Sequence, residues 1–168
     1  MPSTVDEDSL TVADPWETAK ALALAKAEEV AGYRPDALVI GSDTVVALDG
    51  GDRRQLAKPQ GRADAVAMLR KLSGRCHSVI TGVAIVAPGW KRVDADATTV
   101  CFRVLSDDEI EAYVDSGEPM DKAGGYAIQG GAAGFVEHTD GSISNVIGLP
   151  IELLAKMLNE FRETGSAD

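Results

Sequence analysis

The chain has 168 residues, a formal net charge of −11 and a hydrophobic content of 45%. This length and composition predict one domain, 1–168, with a sizeable core, and they exclude disordered and fibrous classes. The acidity argues against a nucleic-acid polymer or an anionic membrane as partner, because both select a basic surface. It remains compatible with a small anionic substrate that a few lysines hold.

No apolar run approaches the roughly 18 residues that a membrane span needs. The first residues are acidic and lack the basic and apolar regions of a signal peptide, so we expect a cytoplasmic protein. Cys76 and Cys101 are too few for a disulfide framework or a zinc site, and we interpret them as small core residues.

The first half of the chain predicts two helices and a hairpin. Asp14 as cap and Pro15 at the first helical position indicate a helix that runs to about residue 31. Apolar residues at 37–40 and 44–48 predict strands, and the turn residues at 49–52 indicate a hairpin with the segment after them. A helical pattern follows over 62–72.

The second half continues with further strands and helices. The expected elements are a strand at 77–86, a strand at 94–105 antiparallel to it, a helix from the capping box of Ser106 and Glu109 to about 115, a short strand at 133–137 and a helix at 150–162. This order predicts a mixed α/β fold without a regular βαβ alternation. The glycine-dense segment 121–131 has two readings, tight turns or a close approach of backbone to a ligand.

Individual polar residues leave alternatives open. Asp43 lies in Gly41-Ser42-Asp43, so it is either a turn or cap residue or a working carboxylate at a strand end. Lys26 in its Ala-rich helix is either a solvated side chain or part of a site. His77 and His138 are isolated histidines, for which a structural or surface role is the more common one.

Several separate segments together resemble the Maf family of nucleotide pyrophosphatases. They agree with it in order and spacing over essentially the whole chain. The segments are Gly41-Ser42-Asp43-Thr44-Val45-Val46, Lys58-Pro59, Leu72-Ser73-Gly74-Arg75 with His77, Thr81-Gly82-Val83, 116–124, 126–130 and Asn145-Val146-Ile147-Gly148-Leu149-Pro150.

The resemblance implies a Maf/inosine-triphosphatase-like α/β fold, with a long twisted mixed sheet flanked by helices and a central cleft. It implies hydrolysis of a nucleoside triphosphate, dTTP or UTP, to the monophosphate and pyrophosphate with a divalent metal, Mg²⁺ or Mn²⁺. The expected residues are Asp43 as the catalytic acid and a metal ligand, Glu7 as a second metal ligand, Lys26, Lys58 and Lys122 near the phosphates, and Thr44 and Gln129 at positions linked to substrate choice.

These residue types suit the chemistry that the resemblance implies. Lysine ammonium groups act as point charges that balance the negative charges of a triphosphate. A hard metal ion is coordinated by one or two carboxylates together with phosphate oxygens and water. A water molecule near Asp43 can lose a proton and attack the α-phosphorus. The amide of Gln129 has a donor and an acceptor and can read a pyrimidine edge.

The front end departs from the family pattern. Members normally begin with a strand and a Ser-Pro-Arg-Arg-type loop roughly 25 to 30 residues before the segment that resembles Val5-Asp6-Glu7. We therefore expect a missing first strand, with Met1 as an internal methionine of a misassigned start or of a shortened isoform. On this hypothesis the chain as written is less stable and less active than its parent, because neighbouring backbone groups lose their partners.

Three readings of the function follow. The first is the pyrophosphatase, and the second is a nucleotide-binding regulator of cell division or septum formation with little turnover, a role that is also associated with the family. The third is a globular domain with incidental motif matches. The oligomeric state is left open, with a homodimer as one option.

Overall fold

The computed structural model of the chain describes residues 4–48 and 54–164. Within these ranges the helices are α1 (Glu7–Leu10), α2 (Pro15–Tyr33), α3 (Arg62–Leu72), α4 (Asp107–Asp115), α5 (Ile143–Ile147) and α6 (Ile151–Thr164). The strands are β1 (Val39–Leu48), β2 (Gln55–Leu56), β3 (Cys76–Ala87), β4 (Trp90–Phe102) and β5 (Val136–Asp140), and 3₁₀ turns lie at Glu118–Asp121, Ala123–Gly125 and Gly131–Phe135.

The strands form a single sheet in the order β2-β1-β3-β4-β5. Its centre is the long β3–β4 hairpin, which turns at Gly89 with a φ of 71°. The α/β class and the sheet flanked by helices are confirmed. All four pairings among the described strands are antiparallel, so the parallel pairing of a mixed sheet is not found in this part of the chain.

One face of the sheet is covered by α2. Its small residues Ala19, Ala23 and Ala27 are buried against the sheet. Two glycines, Gly41 on β1 and Gly82 on β3, allow this close contact. A Cβ at Gly41 would lie 2.4 Å from the carbonyl oxygen of Ala23, and one at Gly82 would lie 2.2 Å from that of Ala19. The helix therefore packs almost directly on the strand backbones.

The other face carries two apolar clusters. The larger one includes Val46, Val79 and Phe102 from the sheet, with side chains of α3 and α4. The smaller one joins Val83 and Ile85 of β3 to α6 through Met157. Thr44, in the middle of β1, remains accessible to a cleft beside these clusters.

The structure extends and corrects several expected elements. The predicted break at residues 41–43 is wrong, because β1 runs without interruption through them. The short helices α1 and α5 were not predicted, and residues 131–135 form a 3₁₀ turn before β5 rather than part of the strand. The predicted turn at 49–52 lies outside the described residues, although the hairpin pairing of β1 with β2 is present.

The interpretation of the cysteines as core residues is wrong. Cys76 is exposed and Cys101 is partly exposed, and the two form a disulfide. They lie opposite each other on β3 and β4 with their Cα atoms 3.9 Å apart. This pairing could not be predicted from the sequence pattern, because the two positions come together only through the register of the hairpin.

None of the helices in the described ranges combines the length and the apolar character that crossing a membrane requires.

Candidate functional site

A cleft of about 630 Å³ opens beside the middle of β1, at Asp43–Val46, so Asp43 lies within the strand and not at the strand end that the sequence suggested. Its walls come from α1, α2, β1, the extended chain after β2 and the segment 121–129. Six of the seven predicted site residues line it, namely Glu7, Asp43, Thr44, Lys58, Lys122 and Gln129. The seventh, Lys26, contacts two of them, so the structure brings the whole predicted set together.

Lys26 joins two carboxylates at the floor of this cleft. Its Nζ donates to Glu7 Oε1 at 2.7 Å and also to Asp43 Oδ1. The Asp43 side chain is only 14% exposed and that of Lys26 is 23% exposed. A carboxylate in such surroundings is costly without a cationic partner, and Lys26 supplies it.

The pKa shifts of the three groups differ in direction. Burial raises the pKa of Asp43, and the hydrogen bond from Lys26 offsets only part of this effect. Burial also opposes the charge of Lys26, but its hydrogen bonds to Asp43 and Glu7 leave the pKa of that ammonium raised. The hydrogen bond from Lys26 lowers the pKa of Glu7. The pKa values of the two carboxyls therefore shift in opposite directions, that of Asp43 upward and that of Glu7 downward.

Two further lysines lie on the cleft wall. Lys58 Nζ is 3.6 Å from Glu7 Oε2, and its side chain is 55% exposed. Lys122 Nζ is 2.6 Å from Oδ1 of Asp121, a cleft residue that the sequence analysis did not select. Both ammonium groups are accessible enough to exchange these carboxylates for the oxygens of an anionic ligand.

The rest of the wall suits the uncharged part of a ligand. Thr44 and Gln129 are its predicted polar groups, and Gln129 is exposed. Apolar lining comes from Leu22, Val45, Val46, Tyr126, Ile128, Val146 and Ile147. A cleft with charged groups at one place and an apolar wall with a few polar atoms is typical of small-molecule sites.

A buried polar network behind Thr44 was not predicted from the sequence. Thr44 Oγ1 is 2.9 Å from Thr81 Oγ1, and Thr81 in turn donates to the backbone oxygen of Asn145 at 2.8 Å. Thr81 and Asn145 are fully buried. The available signal was the hydroxyl of Thr81 among apolar residues of the strand pattern 77–86, because such a group needs a partner inside the core.

Glu7 and Asp43 also fit the metal that the sequence analysis expected. In the described part of the chain, no group of three or more His, Cys, Asp or Glu side chains could hold a metal ion. Mg²⁺ is commonly held through only one or two carboxylates, together with substrate phosphates and water. The two carboxylates already converge on one cation, the Lys26 ammonium, so their placement matches that type of site.

An α/β domain with this cleft belongs to the class of proteins that bind a small ligand with charged and apolar parts. Clustered ammonium groups, two carboxylates and an apolar wall are the features that define it.

Within that class, the chain is a member of the Maf family. The family model described as "Maf-like protein" matches residues 1–161.

Named relatives cover nearly the same range. A dTTP/UTP pyrophosphatase of Pelotomaculum thermopropionicum is 47% identical over 163 residues, which cover 96% of this chain and 84% of that protein. One of Moorella thermoacetica is 48% identical, with coverages of 96% and 82%. One of Pyrococcus furiosus is 46% identical over 158 residues, with coverages of 94% and 81%.

Proposed function

We propose that this chain is a nucleoside triphosphate pyrophosphatase that hydrolyses dTTP and UTP to the monophosphate and pyrophosphate. The observation that carries the proposal is the cluster of Glu7, Lys26 and Asp43 at the floor of a cleft that Lys58 and Lys122 also line. The similarity to dTTP/UTP pyrophosphatases at 46–48% identity supports the same reaction and the same substrates.

In the proposed reaction, Asp43 accepts a proton from a water molecule whose oxygen attacks the α-phosphorus. A new P–O bond forms there, the bond from the α-phosphorus to the bridging oxygen breaks, and pyrophosphate leaves with the electron pair. The raised pKa of Asp43 makes its carboxylate a stronger base for this step than an ordinary aspartate. The lysines lower the barrier because they neutralise charge that builds up on the leaving group.

A divalent cation, Mg²⁺ or Mn²⁺, is part of the proposal. Glu7 and Asp43 would hold it, and the bound ion would supply positive charge to the phosphate oxygens. Lys26 would then keep the two carboxylates in place and contact the phosphates. The exposed ammonium groups of Lys58 and Lys122 would bind the remaining phosphate oxygens.

We assign the choice of base to Thr44 and Gln129. Both line the cleft next to its apolar wall. The Gln129 amide has a donor and an acceptor, which match the alternating acceptor and donor groups along the edge of uracil or thymine.

The second reading of the sequence, a regulator with little turnover, gains no support from the names of these relatives, which describe an enzyme. The regulator reading also assigns no chemical role to the buried carboxylate of Asp43. The two readings differ in one observable, which is the release of pyrophosphate from a bound nucleotide.

The test is pyrophosphate release from UTP and dTTP with Mg²⁺ or Mn²⁺ present. Removal of a general base typically costs about 10²- to 10⁴-fold in rate, and we expect Asp43→Asn to lower kcat by that amount. Asp108→Asn, at an exposed position of α4, is the matched control and should keep full activity. Unchanged turnover in Asp43→Asn would overturn the proposed role, and tight binding of UTP without any pyrophosphate would favour the regulator.

A further inference from the structure

The hydroxyl of Thr44 lies at the boundary between the cleft and the buried core. Thr44 lines the cleft, and its Oγ1 is 2.9 Å from Oγ1 of Thr81 on the neighbouring strand β3. Thr81 has no exposed surface and does not line the cleft. Thr81, which lies behind the cleft wall, therefore makes the hydrogen bond that orients the hydroxyl of Thr44 in the wall.

The donors and acceptors of this contact can be assigned by counting protons. Thr81 Oγ1 is 2.8 Å from the backbone oxygen of Asn145, and a carbonyl oxygen can only accept. Thr81 has a single hydroxyl proton, so this contact uses it. In the contact between the two threonines, Thr44 must then be the donor and Thr81 the acceptor.

The opposite assignment would be costly in this position. If Thr81 donated to Thr44, its oxygen would face the Asn145 carbonyl oxygen at 2.8 Å without a proton between them, inside a region that excludes water. A buried polar group without a partner is strongly disfavoured. The Thr81 hydroxyl is therefore committed to Asn145.

The Asn145 carbonyl is itself held in place from several sides. It also accepts from the backbone N–H of Gly148 at 3.0 Å. The Asn145 side chain donates through Nδ2 to the oxygen of Val79 at 2.9 Å and to Thr98 Oγ1 at 3.1 Å. Since Asn145 is fully buried, this acceptor has little freedom to move, and the direction of the chain from Thr44 to Thr81 to Asn145 is fixed.

We infer that Thr81 is a positioning residue for substrate choice, because it commits the only hydroxyl proton of Thr44 and leaves that oxygen as a pure acceptor toward the cleft. This inference rests on the proposed function, in which Thr44 faces the base. An acceptor at that place selects a pyrimidine that presents an N–H at ring position 3, as uracil and thymine do. Cytosine carries a lone pair at the same ring position and would meet the oxygen of Thr44 acceptor to acceptor.

The test compares UTP with CTP in two variants of Thr81. Thr81→Val keeps the shape of the buried side chain but offers Thr44 no acceptor, so the Thr44 hydroxyl can rotate and donate to cytosine. We expect the ratio of kcat/KM for UTP over CTP to fall about tenfold, through a lower KM for CTP at similar kcat, as the gain of one hydrogen bond suggests. Thr81→Ser keeps the hydroxyl and should retain the wild-type ratio.

The affinities of the products UMP and CMP provide a second readout that does not need turnover. Thr81→Val should lower the preference for UMP over CMP by a similar factor, and Thr81→Ser should not. If Thr81→Val does not fold, Thr81→Cys replaces it, because its thiol is a weak acceptor and should reduce the preference in part.

The outcomes separate this inference from the proposed function. A wild-type preference for uracil that Thr81→Val or Thr81→Cys leaves unchanged in both readouts would overturn the role of Thr81 and leave the pyrophosphatase intact. Absence of turnover with a preference for UMP that depends on Thr81 would overturn the enzyme and support the positioning role. A wild-type protein that binds UMP and CMP equally would also overturn the inference.

Discussion

Glu109 illustrates how single side chains stabilise an element away from the cleft. Its carboxylate accepts from Arg103 Nη2 at 2.6 Å and from the backbone N–H of Ser106 at 2.9 Å, and it completes the capping box of α4. The hydrogen bonds from Arg103 and Ser106 lower the pKa of Glu109 from 4.5 to about 2. The folded state therefore stabilises the ionised carboxylate of Glu109 more than the unfolded chain does.

The depressed pKa predicts how Glu109→Gln changes stability with pH. A lowered folded-state pKa contributes stability above the unfolded value of 4.5, and this contribution disappears as the pH falls toward about 2. Urea unfolding should show the wild type more stable than Glu109→Gln at neutral pH, with the difference shrinking below 4.5. Glu137→Gln, at an exposed position, is the control. A difference between wild type and Glu109→Gln that stays constant across this range would contradict the assignment.

Most of the candidate site could be predicted at the residue scale only because the motifs were compared with a family. Lys26 in an Ala-rich helix is compatible with a solvated side chain, and its partners Glu7 and Asp43 are 19 and 17 residues away. Local sequence does not encode such a contact. Thr81 was missed for a related reason, since its role depends on the neighbouring strand and on Asn145 across 64 residues.

At the scale of elements, the distance between α2 and the sheet decides whether the site forms. Lys26 belongs to α2 and Asp43 to β1, and the two elements meet where Gly41 and Gly82 have no side chains. These glycines therefore have a packing role, and this role explains the error in the predicted strand. Gly41-Ser42-Asp43 has the composition of a turn, but tertiary contacts with α2 require those residues inside a continuous strand.

Gly82→Ala tests this packing. The added Cβ would lie 2.2 Å from the backbone oxygen of Ala19, so α2 or β3 must shift. Overpacking of this kind typically costs about 1–3 kcal/mol, and we expect that loss in the free energy of unfolding measured with urea. Turnover should also fall, because a shift of α2 moves Lys26 relative to Asp43.

Gly32→Ala in the same helix is the matched control for Gly82→Ala. A Cβ there would meet nothing within 4 Å. Replacing a helical glycine by alanine should leave stability unchanged or raise it by about 0.5–1 kcal/mol. Equal free energies of unfolding for the two variants would show that the close contact between α2 and the sheet does not determine stability.

At the scale of the whole molecule, β3 and β4 form the centre of the sheet and the disulfide joins them at one end. Cys76 and Cys101 are separated by 25 residues, and their bond closes a loop that contains the entire hairpin turn. The α/β class and most helices followed from hydrophobic periodicity. The disulfide did not, because it depends on strand register, which the sequence pattern leaves undetermined to within a residue or two.

Reduction of this disulfide should destabilise the protein without unfolding the site at low temperature. The disulfide stabilises the fold because it restricts the unfolded chain. For a loop of this length, its reduction should lower the free energy of unfolding by about 3 kcal/mol. The measurement is the urea midpoint with and without a thiol reductant. The double variant Cys76→Ser with Cys101→Ser should be insensitive to the reductant, and a wild-type midpoint equally insensitive to it would contradict the expected contribution of the cross-link.

The most direct test of the central claim is the position of the oxygen that hydrolysis introduces. UTP is hydrolysed in water enriched in ¹⁸O with Mg²⁺ or Mn²⁺ present, and the products are identified by ³¹P NMR and mass spectrometry. Attack at the α-phosphorus beside Asp43 predicts UMP with one ¹⁸O atom in its phosphate and unlabelled pyrophosphate. UDP with labelled inorganic phosphate, or ¹⁸O in the pyrophosphate, would contradict this account.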